Sequence, residues 1–112
     1  MSADALKERL RTDLKAAMRE RRSGEVAVLR TLIAAIDNAE AVPTDHLAGR
    51  LRRREDVGEV ARRKLDQAAL SGIVAAEAQS RLAASADYER NGRPDDAARL
   101  REEAQLVERY IL

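Results

Sequence analysis

At 112 residues the chain has the length of one small domain, and without cysteine it has no disulfide, thiolate nucleophile or Cys-based metal site. Its 21 basic and 20 acidic residues leave a net charge of +1, so there is no global pull toward nucleic acid or membrane and any electrostatic function must come from local clustering. No stretch approaches the roughly 18 apolar residues of a membrane span, and the opening MSADALKERL lacks the apolar core of a secretory signal; the expectation is a soluble, cytoplasmic protein.

Alanine supplies 22 of the 50 apolar residues, which favours closely packed helices around a modest core. Tyr88 and Tyr110 are the only aromatics, too few for the stacking platforms of single-strand nucleic-acid binders. Arginine outnumbers lysine 18 to 3. Helix propensity and coding bias account for that excess, with selection for phosphate contacts as the alternative.

The first predicted helix covers residues 4–22, with Leu6, Leu10, Leu14, Ala17 and Met18 on one stripe, and Ser23-Gly24 is expected to end it. The second runs over 25–41, packs back antiparallel and is stopped by Pro43. On it Val26, Leu29, Ile33 and Ile36 recur at helical spacing, and Glu40 falls within about 40° of Leu29. A carboxylate on an apolar face near a helix C-terminus needs a partner; Arg30 or Arg81 is the expected one.

Residues 42–65 differ in kind. They hold two glycines, a proline and no sustained period, and between residues 50 and 64 Arg50, Arg52, Arg53, Arg54, Arg62, Arg63 and Lys64 face Glu55, Asp56 and Glu59, a local +4. This segment reads as an exposed basic connector, with room for a short helix near 45–54. It is either a solvated linker or an arm that contacts phosphates and binds in a salt-sensitive way. Asp66 is the expected N-cap of a third helix over 66–91, carrying Leu70, Ile73, Val74, Ala78 and Tyr88 on or near its inner face and ended by Gly92. On that helix Glu77 and Arg81 make an i, i+4 pair on an apolar face. With Glu40, Asn38 and Arg30 they form either a register-fixing polar layer or the lining of a partner groove.

A fourth helix is predicted over 94–111. Pro94 suits its first position, Asp95 and Asp96 complement its positive end, and Ala97, Leu100, Ala104, Val107 and Ile111 follow a three-four spacing. That seam packs within the chain, or against a partner or a second copy.

The chemistry-bearing residues are sparse. His46 is the only histidine and has no ligand set beside it, so no metal is expected. No serine sits in an activating motif, and no phosphate-cradling glycine loop is present. No catalytic residue and no cofactor are assigned.

Several segments together resemble the GatB/YqeY domain family, in particular its stand-alone YqeY-like proteins. LKERLRTDLKAAMRERR and VAVLRTLIAAIDNAEA are similar to the family's first two helices, in which a Leu-Arg precedes an alanine-rich Ile-x-Asn-x-Glu segment. The likeness resumes at AEAQSRLAASADYERNGR and DDAARLREEAQLVERYIL, with Glu77 and Arg81 where the family has an acid and a base ahead of its Gly-Arg turn. Tyr110 stands at the family's Tyr-Leu-Pro, which here reads Tyr110-Ile111-Leu112. The connector is longer and more basic than the family pattern. Family members continue into a second helical lobe, so the chain resembles the N-terminal lobe.

The resemblance implies an all-α antiparallel bundle of about four helices, with residues 1–112 as one domain. It also implies a non-catalytic accessory role related to the tail of tRNA amidotransferases, which touches tRNA. Stand-alone members carry the label of carbon-nitrogen ligases with glutamine as amido donor; no residue set for that reaction is visible here. The expected partner is tRNA through the connector cations. The alternative is a protein partner or self-association through Leu100, Ala104, Val107 and Ile111.

Overall fold

The computed structural model describes residues 1–41 and 64–111. They form four helices, α1 (Ala3–Arg19), α2 (Ser23–Glu40), α3 (Gln67–Arg90) and α4 (Pro94–Glu108), with no strand among the described residues. The chain is all-α. The short helix considered near 45–54, and the connector as a whole up to residue 63, lie outside the described residues.

Each helix start follows from its sequence. Ser2 caps α1 by accepting the Ala5 N–H at 3.1 Å, and Asp66 caps α3 by accepting the Ala69 N–H at 2.8 Å. Pro94 opens α4 with Asp95 and Asp96 in its first turn. α2 has no side-chain cap; Arg22 stands at its N-cap.

The two turns between paired helices share one design. After α3 the Arg93 N–H donates to the Tyr88 carbonyl and the Gly92 N–H to that of Glu89, with Gly92 at φ +72°. After α1 the Arg22 N–H donates to the Ala17 carbonyl and the Arg21 N–H to that of Met18, with Arg21 at φ +56°. Both are Schellman closures, in which a left-handed residue lets the chain reverse while satisfying the last carbonyls. The expected breaker Ser23-Gly24 instead starts α2. α1 therefore ends at Arg19, three residues early, because Arg21 takes the left-handed position at a conformational cost of about 1–2 kcal/mol that glycine would not incur.

Turns this short make two antiparallel hairpins, α1 with α2 and α3 with α4, and α2 joins them by packing on both α3 and α4. The core is Leu6, Leu10 and Ala17 of α1, Val28, Leu29, Leu32 and Ile36 of α2, Leu70, Val74 and Ala78 of α3, and Leu106 and Val107 of α4. α2 buries a wider arc than the stripe read from its sequence, since it has neighbours on several sides: Val28 and Leu32 are buried, whereas Val26 and Ile33 are half-buried. Met18, assigned to the buried stripe of the first helix, is 50% exposed. It lies past the edge of the arc that α2 covers.

Candidate functional site

Three polar clusters hold the helices in register. In the first, Lys7 of α1 donates to Glu40 Oε1 at 2.6 Å and to Asp37 Oδ1 at 3.3 Å. The Lys7 and Glu40 side chains are 7% and 9% exposed, so this is a buried ion pair, while Asp37 at 44% remains wet. The hydrogen bond to Glu40 raises the Lys7 pKa above its ordinary 10.5 against the opposing effect of burial. Lys7 thus supplies the cation that Glu40 requires. Arg30, one of the expected partners, is exposed on α2, as is Asn38.

Arg81, the other expected partner, belongs to the second cluster. It donates through Nη1 to Glu77 Oε2 at 2.8 Å and to the Glu77 carbonyl at 3.1 Å, which is the i, i+4 pair expected from spacing. Its Nε lies 3.4 Å from Glu103 Oε1 of α4, a Coulombic contact without hydrogen-bond geometry, and this buried N–H has no hydrogen-bond acceptor among the described residues. The pair thereby ties α3 to α4.

In the third cluster the chain beyond α4 folds onto α1. Tyr110, 3% exposed, donates its hydroxyl to Asp13 Oδ2 at 2.5 Å. The Arg9 guanidinium lies 4.7 Å from the Tyr110 ring centroid and donates to the Arg109 carbonyl at 3.4 Å. Burial, followed by the Asp13 carboxylate, pushes the Tyr110 phenol well above its ordinary value of 10.0.

A raised phenol pKa means that the unfolded chain ionises first. Stability is therefore whole below pH 10 and falls as pH climbs from there toward the native value. In a Tyr88→Phe background, phenolate absorbance should rise only above the ordinary tyrosine range and together with loss of helical circular dichroism. Ionisation at the ordinary pH with the helices intact would show that the Tyr110–Asp13 contact does not hold in solution.

Between the start of α2 and the end of α4 lies a shallow cleft lined by Gly24, Glu25, Arg99, Leu106 and Arg109. It adjoins a depression that includes Arg9, Asp13, Arg22 and Tyr110. These linings offer guanidinium, carboxylate and phenol groups, a set suited to a charged partner. Among the described residues no group of three or more metal-ligating side chains is assembled, and no helix is long and apolar enough to cross a membrane.

Of the connector cations, Arg50, Arg52, Arg53, Arg54, Arg62 and Arg63 lie outside the described residues, and Lys64 is exposed just before the α3 cap. On the fourth-helix seam Ala104 and Val107 are wholly buried within the chain, Leu100 is half-buried and Ile111 is 48% exposed. Lys7, Asp13 and Glu103 had not been singled out from sequence. For Lys7 a signal existed, since it falls within about 20° of Leu14 on the helical wheel and so belongs to the apolar face of α1.

A model of the family described as Yqey-like protein matches residues 7–111, spanning both hairpins and the segment between them. No curated protein matches the chain.

Proposed function

Because the chain belongs to the Yqey-like protein family, we propose that it is a non-catalytic, cytoplasmic accessory module related to the tails of tRNA amidotransferases, and that it contacts tRNA through Arg50, Arg52, Arg53, Arg54, Arg62, Arg63 and Lys64. The observation that carries the reading is the +4 charge gathered between residues 50 and 64 in a chain whose total is only +1. What supports it further is the anchoring of that segment's two roots. Glu40 on one side is bound by Lys7, and Gln67 on the other accepts from the Met1 amine at 2.7 Å, so both roots are tied to the beginning of α1. A basic segment rooted on one end of a helical body can meet a phosphate backbone while the body stays rigid. Self-association through α4 is the weaker reading, since Ala104 and Val107 are already used inside the chain.

The test is fluorescence anisotropy with labelled bulk tRNA at about 50 and 200 mM salt. Four phosphate contacts should cost about 50- to 150-fold in affinity between those conditions. Changing Arg50, Arg52, Arg53 and Arg54 to Gln should abolish most of that dependence. Absence of binding at both salts would remove the tRNA role.

A further inference from the structure

In the first hairpin Lys7 and Arg22 have carboxylates within 4.0 Å, but among the described residues other cations there do not, in contrast to the second hairpin. Each arginine of α3, α4 and the turn between them, namely Arg81, Arg90, Arg93, Arg99 and Arg101, has a carboxylate within 4.0 Å. On α1 and its turn, Arg11, Lys15, Arg19 and Arg21 are exposed, and among the described residues they have no carboxylate partner. Arg11, Lys15 and Arg19 stand four residues apart, a single row of cations spaced by about 6 Å along the helix. Like charges at this spacing repel and weaken a helix. The macrodipole explains only Arg19, because its reach is the last turn.

Arg21 adds an independent observation. It occupies the left-handed position of the Schellman turn at φ +56°, where Gly92 serves in the equivalent turn. The backbone strain falls on a residue whose side chain makes no ion pair among the described residues, and strain of this kind concentrates where a residue is used for something other than stability.

We propose that Arg11, Lys15, Arg19 and Arg21 form a contact surface for the phosphodiester backbone of RNA, distinct from the connector. A row of regularly spaced cations along a helix suits a polymer carrying one negative charge per repeat. The surface does not suit insertion into a membrane, which needs an apolar face; the apolar face of α1, Leu6, Leu10 and Ala17, is spent in the core. The proposal rests on the RNA-binding reading above and adds a surface to it.

The experiment compares wild type, an R11Q/K15Q/R19Q variant, R21G and the connector variant for binding labelled bulk tRNA over a salt series, with labelled polyglutamate as a second probe. The triple variant should keep its helical circular dichroism, lose at least tenfold in tRNA affinity near 100 mM salt, and show a salt slope shallower by about 2. R21G should raise Tm while lowering tRNA affinity, a combination that a merely structural residue would not produce. If wild type binds tRNA and both α1 variants match it, this surface is refuted while the connector reading stands. If wild type does not bind, both fall. Polyglutamate binding as tight as tRNA binding, with the same losses, would overturn the phosphodiester assignment in favour of an acidic protein.

Discussion

Replacing Lys7 with methionine should destabilise the chain by about 3 kcal/mol, the low end of what breaking a buried ion pair costs. The substitution keeps the length of the side chain and removes the ammonium. Asp37 is 44% exposed and can return to water, but Glu40 is 9% exposed and cannot do so without disturbing the helix end. The low end applies because Glu40 keeps a further interaction besides Lys7. For a domain of this size the loss corresponds to a fall in Tm of about 12 °C.

The double variant K7M/E40L should recover part of it, since apolar replacement of both partners is often neutral or better but here also removes the further interaction of Glu40. A cycle of thermal melts on the two single variants and the double decides the matter, and a K7M change smaller than about 1 kcal/mol would mean that the pair is not closed off from water. The sign with pH follows from the raised Lys7 pKa. The Lys7 contribution is fully present below 10.5 and is lost as pH rises through the native value, so the gap between wild type and K7M should narrow on the alkaline side.

Val107→Asp should be the most damaging single change on α4, while Leu100→Asp, two seam positions away, should be modest. Val107 has 0% exposure and belongs to the core cluster with Leu29, Leu32 and Leu70. A carboxylate placed among these apolar side chains must either be neutralised or open the core, a cost above about 4 kcal/mol against a total stability of about 5–15 kcal/mol. Leu100 is half-buried and can turn its new carboxylate toward water, for a cost of about 1 kcal/mol. Circular dichroism and light scattering together make the distinction. Loss of helix in V107D with no change in the mass of wild type on dilution is the expected result; a V107D chain that stays folded but loses a wild-type dimer would return the seam to the role of an interface.

By itself the sequence determined what local physics can determine. The capping of α3 by Asp66, the stop at Gly92 and the start at Pro94 each depend on one residue's own backbone preference or side chain. The i, i+4 pair of Glu77 and Arg81 likewise needs only the helix that carries both. Glu40 could be identified as a buried acid because its angular position is fixed by its neighbours in the chain.

Only the tertiary structure decided who answers it. Lys7 lies 33 residues away, and helical periodicity carries no information about which residues of two helices meet. The same limit hid the Tyr110–Asp13 contact, 97 residues apart, and the wide buried arc of α2, which depends on how many neighbours surround it. It also separated the cations, since a carboxylate near in sequence is not a carboxylate within reach. Arg11 has Glu8 three residues away and no ion pair among the described residues, whereas Arg81 reaches Glu103 across the hairpin.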